Sequence, residues 1–265
     1  MKKVGLHLRL DNKVTDSIEK ATQLELPTFQ CFLTNSSGKY VNPNEQEIQD
    51  FLKLRKKFKD IFVHSSFWIN LANSKSYNLK LIKKELALAK KLQFTHLVIH
   101  PGSAKEYETK EEGISFVAKR LNKILSEEKD IKLLLENTAH GKKTIGNDLE
   151  DLKKIQEQVN YQLKFCLDMA HAYAYGYDLK KDLDKFLKIV DENIGIANIE
   201  LIHLNESAEP LGSKRDKHTI PGKGKIGIRA LKKILKHPKL KHIPAIVELP
   251  PKTTEADESK TINMF

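Results

Sequence analysis

The sequence predicts an α/β protein whose strands close into a (β/α)8 barrel. Eight short apolar runs are typical of buried parallel strands, at 4–10, 28–34, 60–66, 95–101, 131–137, 161–169, 199–205 and 242–249. Amphipathic stretches rich in Lys and Glu separate most of these runs, and no Pro- or Ser-rich linker divides the chain. Alternation over roughly 250 residues indicates a parallel sheet, and eight units favour a closed barrel over a doubly wound sheet, which stays open as the alternative.

The segments between the runs carry apolar residues at helical spacing. We expect helices at 14–26, 45–58, 77–93, 110–128, 148–159, 179–194 and 228–237. The closing segment PPKTTEADESKTINMF is too short and too polar for a complete last helix, so a polar tail is expected from about residue 250 to 265. We therefore predict that residues 1–265 form a single TIM-barrel domain.

Composition and charge narrow the class of protein. The formal net charge is +11, and a field of this sign attracts polyanions such as nucleic acid, although solvated lysine-rich helix faces give the same sum. Both cysteines, Cys31 and Cys166, lie in apolar runs, which argues against a disulfide framework and fits a reducing compartment. No apolar stretch approaches the roughly 20 residues that a membrane-spanning helix needs. Polar residues interrupt the opening segment, which argues against a signal peptide. We expect a cytoplasmic protein.

The third to eighth apolar runs share a feature at their C-terminal ends. Each ends on a residue type that ligates metals, namely His64, His100, Glu136, Asp168, His203 and Glu248. The C-terminal ends of barrel strands converge on one mouth, so these side chains should meet there. Their mutual repulsion and desolvation would be costly unless cations were bound.

Three further candidate ligands follow the sixth and seventh runs, namely His171, Asp216 and His218. Asp168 and His171 form a D-x-x-H pattern, which taken alone favours a helix cap beside a hydrogen-bonded histidine. One metal ion takes three or four protein ligands, so nine candidates indicate two or three ions with shared carboxylates.

The motifs around these residues resemble those of a known family. In chain order they are FVHSSFWINL, VIHPGS, LLENTA, LDMAHAYAYGYDL, IHLNES and SKRDKHTIPGKGKIG. Together they are similar to the endonuclease IV family of apurinic/apyrimidinic endonucleases, and the match runs from near residue 1 to about residue 250. The resemblance implies a xylose-isomerase-like TIM barrel that cleaves the DNA backbone 5′ to abasic sites and also removes 3′-blocking groups.

The resemblance further implies three zinc ions per chain, each with its own ligands. His64, His100 and Glu136 would hold the first ion. Glu136 would bridge to the second ion, which Asp168, His203 and Glu248 complete, while His171, Asp216 and His218 would hold the third. Glu136 is thereby the predicted catalytic ligand, and the nucleophile would be a metal-bound hydroxide generated near neutral pH. No nucleophilic side chain is then required, so Cys166 is interpreted as a small buried hydrophobe.

Candidate DNA contacts lie where this chain departs from the family. Phe67 and Trp68 stand where the family has an intercalating Tyr-Leu pair, and they would either form a wedge opposite the abasic site or pack under a loop. Lys223 and Lys225 lie in the glycine-rich turn PGKGKIG, a candidate phosphate cradle. The segments RLDNK (9–13) and TNSSGKY (34–40) differ from the family's usual loops. The expected partner is double-stranded DNA with abasic sites, bound by a monomer without a membrane.

Two alternative functions stay open at this point. Sugar isomerases or epimerases of the xylose-isomerase-like barrels bind one or two divalent ions at the same mouth. The complete set of candidate ligands for a third ion argues against them, as does the basic charge. A DNA-binding protein without catalysis is disfavoured because every candidate ligand is present.

Overall fold

Eight parallel strands form a closed barrel in the computed structural model, which describes residues 4–35 and 37–265. The barrel strands are β1 Val4–Leu8, β2 Phe29–Cys31, β3 Phe62–His64, β4 His96–Ile99, β5 Lys132–Glu136, β6 Lys164–Asp168, β7 Ile199–His203 and β10 Ala245–Val247. Each strand pairs with its sequence neighbours, and β10 closes the barrel by pairing with both β7 and β1. The predicted (β/α)8 barrel is therefore confirmed, and the doubly wound alternative is wrong. Residues 1–3 of the opening segment, and Ser36 in the loop 34–40, lie outside the described residues.

The helices cover every segment in which one was predicted. They are α1 Thr15–Gln23, α2 Glu45–Arg55, α3 Ser76–Lys91, α4 Lys110–Glu127, α5 Leu149–Gln158, α6 Met169–Tyr175, α7 Leu183–Asn193, α8 Ile228–Lys236 and α9 Glu255–Met264. A 3-10 turn, Ile196–Asn198, precedes β7, and a short antiparallel pair, β8 Glu206–Ser207 and β9 His218–Thr219, follows it. Within the described residues, no helix is long and apolar enough to cross a membrane.

The expectation of a polar tail from residue 250 to 265 is wrong, because α9 forms there. The Thr254 hydroxyl accepts a hydrogen bond from the Asp257 amide at 3.2 Å, and the Asp257 carboxylate accepts one from the Thr254 amide at 3.1 Å. This reciprocal capping box starts the helix. Ile262 and Thr261 are buried on its inner side, so two inward residues suffice to dock an otherwise polar helix.

The interior of the barrel is filled by a compact apolar layer. Its members are Phe62, Val98, Leu134, Cys166, Leu201 and Ile246, all buried. Burial raises the pKa of the Cys166 thiol to about 12, in agreement with its interpretation as a small hydrophobe. Each member lies two residues before a candidate ligand at or directly after the end of the same strand, so the ligands form a separate layer above the apolar one. The apolar layer therefore fills the barrel beneath the mouth, so that the mouth does not continue as a channel through the barrel.

His96 lies at the opposite end of the barrel from His100. Its ring stacks on Phe62, and its Nε2 is 3.1 Å from Glu200 Oε2. Lys132 Nζ donates to the same Glu200 oxygen at 2.9 Å. His96 therefore hydrogen-bonds to the ion pair between Lys132 and Glu200 at the N-terminal ends of the strands, away from the mouth.

Candidate metal centre

The barrel brings eight of the nine predicted ligands into overlapping groups at its mouth. His64, Glu136, Asp168 and His203 are the last residues of β3, β5, β6 and β7, while His100 and Glu248 directly follow β4 and β10. Groups of three with ligand atoms within 4.8 Å of one another are His64, Glu136 and His203; His100, Glu136 and His171; Asp168, His171 and His218; Asp168, His203 and Glu248. Because these groups share members, they form one continuous cluster.

Glu136 lies at the centre of the cluster and is fully buried. Its Oε2 is 3.0 Å from His64 Nε2 and 2.9 Å from His100 Nε2. Its Oε1 is 2.8 Å from His203 Nδ1 and 3.5 Å from His171 Nδ1. Burial raises the pKa of this carboxyl, but the nearby imidazoles outweigh burial, and the pKa stays well below its usual range. The two oxygens thus face two separate sides of the mouth as an ionised carboxylate.

Asp216 joins the cluster through the two remaining histidines. Its Oδ2 is 3.3 Å from His171 Nε2, and its Oδ1 is 3.1 Å from His218 Nε2. The pKa of Asp216 lies far below its usual range, since the two imidazoles outweigh the effect of burial. The structure therefore places the ninth predicted residue beside His171 and His218, as the sequence motifs implied.

The arrangement of nitrogen and oxygen atoms in the cluster fits coordination of a divalent cation better than it fits hydrogen bonding within the cluster. Among the described residues, His100 Nε2, His171 Nε2 and His218 Nε2 are buried and lack an aligned hydrogen-bond partner, although carboxylate oxygens lie close by. Buried polar atoms are normally paired, so three unpaired imidazole nitrogens facing carboxylates need an explanation. Imidazole nitrogens with carboxylate oxygens are a donor set that zinc accepts, and the cluster fits that metal.

Asp168 serves two purposes, which resolves the ambiguity of the D-x-x-H pattern. Its Oδ1 accepts a hydrogen bond from the His171 amide at 2.7 Å and caps α6. Its Oδ2 faces the mouth, 3.7 Å from His203 Nδ1 and 3.9 Å from His218 Nε2. The cap therefore fixes the carboxylate with its second oxygen facing the mouth.

A second layer of polar side chains, largely missed by sequence reasoning, supports the cluster. Gln30 on β2 is fully buried, and its Oε1 accepts from His203 Nε2 at 2.9 Å. Its amide group donates to Glu248 Oε1 at 2.7 Å and lies 2.9 Å from His7 Nδ1. His7, which the sequence analysis left out of the ligand set, lies 3.0 Å from the same Glu248 oxygen. A glutamine inside an apolar strand was the signal that could have found this contact.

Two asparagines hold Asp168 from either side. The Asn205 amide group donates to Asp168 Oδ2 at 2.6 Å and to Glu248 Oε2 at 3.0 Å. Asn137 exchanges two hydrogen bonds with the Asp168 backbone, and its own carbonyl is 2.8 Å from His171 Nδ1. These asparagines follow β7 and β5 within the motifs HLN and LEN, so they lie one or two places from candidate ligands.

The aromatic pair after β3 is on the surface at the mouth. Phe67 and Trp68 are 77% and 75% exposed, so the interpretation in which both pack under a loop does not hold. The Phe67 ring rests against Phe32 at 4.8 Å between centroids. Ser66, the residue before Phe67, is held in place because its amide donates a hydrogen bond to buried Glu85 at 3.0 Å. The pair is thus presented to solvent on an anchored turn.

The glycine-rich turn that contains Lys223 and Lys225 is not an open cradle of backbone amides. Buried Glu206 accepts hydrogen bonds from the amides of Gly222, Ile226 and Gly227, at 3.3, 2.8 and 2.8 Å. Those donors are therefore taken by the protein itself. The side chains of Lys223 and Lys225 remain exposed beside the mouth, so any phosphate contact there would come from their ammonium groups.

Comparison with known proteins identifies the class to which this fold belongs. Residues 18–262 match the family of xylose isomerase-like TIM barrels. The chain therefore belongs to that class of barrels. It is 34% identical to the probable endonuclease 4 of Thermosipho melanesiensis over 94% of this chain and 93% of that protein, and 32% identical to that of Clostridium beijerinckii over the same shares.

A solved structure supports the same assignment. The crystal structure of endonuclease IV from Thermus thermophilus superposes with a TM-score of 0.87 at 29% identity, covering 99% of this chain and 97% of that one. A D-tagatose 3-epimerase-like protein superposes with a TM-score of 0.74 at 21% identity, which shows the shared fold alone. Within the class, the chain is a member of the endonuclease IV family, and the resemblance seen in its motifs is confirmed.

Proposed function

We propose that this protein is a DNA-repair endonuclease that hydrolyses the backbone of double-stranded DNA 5′ to abasic sites and removes 3′-blocking groups. The observation that carries the proposal is the cluster around Glu136, in which all nine ligand candidates of the family motifs surround one mouth. The names of the relatives at 34% and 32% identity agree with this activity.

We assign the nine residues to three zinc ions. His64, His100 and Glu136 would hold the first, and His64 and His100 do approach the same Glu136 oxygen. Asp168, His203 and Glu248 would hold the second with Glu136 shared, while His171, Asp216 and His218 would hold the third. When bound, zinc supplies a lowered pKa for a coordinated water and positive charge for the phosphoryl oxygens.

The chain's own residues position this chemistry. Glu136 separates two groups of imidazoles and keeps its charge, so it is suited to bridge two ions. His64, His171 and His203 each commit one ring nitrogen to a protein oxygen, which leaves the other nitrogen facing the mouth. Cys166 takes no part, since burial keeps it a thiol.

The contacts with DNA are assigned to two surfaces at the mouth. Phe67 and Trp68 would insert into the gap left by an extruded abasic nucleotide, where aromatic stacking on a neighbouring base offsets the cost of unstacking. Lys223 and Lys225 would contact backbone phosphates. A monomer is sufficient for these contacts, and we expect one in solution.

The sugar isomerase alternative is not favoured. His171, Asp216 and His218 supply the ligands of a third ion, beyond the one or two ions that such an enzyme needs. The relatives with 30% identity or more that support the family are probable endonucleases. A DNA-binding protein without catalysis would not require the complete ligand set.

Metal analysis beside a nicking assay tests the proposal. The purified chain is dialysed, its zinc content is measured, and it is incubated with a duplex that contains a tetrahydrofuran abasic analogue. We expect close to three ions per chain and a single incision 5′ to the analogue. A reproducible value of one or zero ions refutes the trinuclear assignment, and intact duplex with a zinc-loaded protein refutes the activity.

A further inference from the structure

One helix on the outside of the barrel presents only positive charge to solvent. We call this feature the α8 stripe, and its members are Arg229, Lys232, Lys233 and Lys236. They are spaced i, i+3, i+4 and i+7, which places them along one face of α8, and all four are exposed. The buried residues Leu231 and Ile234 lie on the opposite face, so the stripe points away from the barrel.

The stripe lies within a longer basic segment. Residues 217–247 contain nine Lys and Arg residues and no Asp or Glu. Like charges three and four places apart destabilise a helix, and such helices usually intersperse carboxylates. The local repulsion along α8 is therefore unrelieved by its own sequence.

Neighbouring elements do not relieve the repulsion either. For comparison, lysines on α3, another lysine-rich helix, do have carboxylate partners. Lys91 pairs with Glu45 at 3.0 Å, and Lys83 and Lys90 also form ion pairs. Across residues 4–35 and 37–265, no carboxylate lies within ion-pair distance of any member of the α8 stripe. The positive charge of the stripe is therefore not compensated by an ion pair within the described residues.

The stripe begins beside the candidate metal centre. Gly227 precedes α8, and its amide donates to Glu206 Oε2 at 2.8 Å. Glu206 and Ser207 form β8, and Ser207 pairs with His218 on β9, one of the candidate ligands. The nine residues of α8 extend about 13 Å, so the stripe leads from the edge of the mouth along the outer wall of the barrel.

We propose that the α8 stripe binds the phosphate backbone of duplex DNA that flanks the lesion, beyond the contacts at the mouth. The proposal rests on the proposed function, because the metal centre is what brings a duplex to this end of the barrel. Lysine and arginine side chains hold phosphates without reading bases, so the partner is a duplex of any sequence. Such contacts release counterions, which makes the affinity depend on salt in proportion to their number.

The test compares two triple variants with the same loss of charge. The stripe variant carries Lys232→Gln, Lys233→Gln and Lys236→Gln, which neutralise the three lysines that follow Arg229 along α8. The control variant carries Lys56→Gln, Lys57→Gln and Lys59→Gln, which are exposed lysines after α2, at the end of the barrel opposite the mouth. Both variants fall from a net charge of +11 to +8, so the overall field is matched and only the position differs.

Binding is measured over a range of salt concentrations with duplexes of about 30 and about 10 base pairs, each with a tetrahydrofuran abasic analogue at its centre and a hydrolysis-resistant linkage 5′ to it. The short duplex extends only about 17 Å from its centre, so it reaches less of the outer wall. For the stripe variant we expect affinity for the long duplex to fall at least tenfold at low salt. The slope of log affinity against log salt should become shallower by about 2.7, since each phosphate contact contributes about 0.9. The control and the short duplex should show little change.

The outcomes separate the two proposals. Equal losses in the two variants, or equal losses on the two duplexes, overturn the stripe. Nicking of the abasic duplex by the unmodified chain is measured alongside. If that chain fails to nick but the stripe variant still loses affinity selectively, the proposed function fails and the stripe stands. Melting temperatures show that both variants are folded, and we expect no loss for the stripe variant because glutamine relieves the repulsion.

Discussion

Replacing Gln30 should loosen one of the three proposed ions while leaving the other two. Gln30 is buried and contacts both His203 and Glu248, two of the residues assigned to the second ion. Leucine keeps a comparable side-chain size but has no polar atoms. In Gln30→Leu, His203 Nε2 loses its acceptor at 2.9 Å and Glu248 Oε1 loses a donor at 2.7 Å. His203 can then turn its ring more easily, because only its Nδ1, 2.8 Å from Glu136 Oε1, still has a partner.

The size of the effect follows from these two contacts. Loss of an outer hydrogen bond to a metal ligand lowers metal affinity by about 10- to 100-fold. That range corresponds to about 1.4–2.8 kcal/mol, which is also the cost of leaving a buried polar group without its partner. Glu248 keeps His7 at 3.0 Å, so most of the loss should come from His203.

The assay is a titration with a zinc chelator, in which metal content is read after each step. We expect one zinc per chain to leave the variant at a chelator concentration about 10- to 100-fold lower than in the unmodified chain. Gln156→Leu is the matched control, since Gln156 bonds the backbone of Tyr161 and Leu163 away from the mouth. Its zinc release should be unchanged. Equal release from Gln30→Leu and the unmodified chain would refute the reasoning.

Three other changes probe the centre, the wedge and the pH dependence. Glu136→Gln should lower nicking by several orders of magnitude, whereas Glu200→Gln, at the opposite end of the barrel, should not; a loss under about tenfold excludes bridging. Phe67→Ala with Trp68→Ala should weaken abasic-duplex binding at least tenfold, with zinc content and melting temperature unchanged, and unchanged affinity in the folded variant ends the wedge hypothesis. Burial raises the pKa of Glu85 from 4.5 to about 7, so its contribution to stability is present below pH 4.5 and is lost as pH rises to about 7. The free energy of unfolding of Glu85→Gln should therefore gain up to about 3 kcal/mol relative to the unmodified chain between those pH values, and parallel stability curves would contradict this.

The sequence predicted the barrel because its signals were local and repeated. Seven of the eight apolar runs are followed by an amphipathic stretch, so repeated and independent observations pointed to one fold. α9 was missed because its polar composition hides the signal, which is a capping box between Thr254 and Asp257 with Ile262 as an inward residue. α6 was missed because it is only seven residues long and begins where β6 ends.

The ligand types were predictable from strand ends, but the ring nitrogen that each histidine presents was not. His64 Nδ1 bonds the carbonyl of the next residue, so Nε2 faces Glu136. His171 Nδ1 bonds Asn137, 34 positions away, and again Nε2 is left for the mouth. His203 is reversed, because Gln30, 173 positions away, takes Nε2 and leaves Nδ1. Only closure of the barrel brings β2 across from β7, so this reversal is a property of the fold. The residues at strand ends therefore predict which side chains are candidate ligands, whereas the hydrogen bonds of the second layer decide which nitrogen of each histidine faces the mouth.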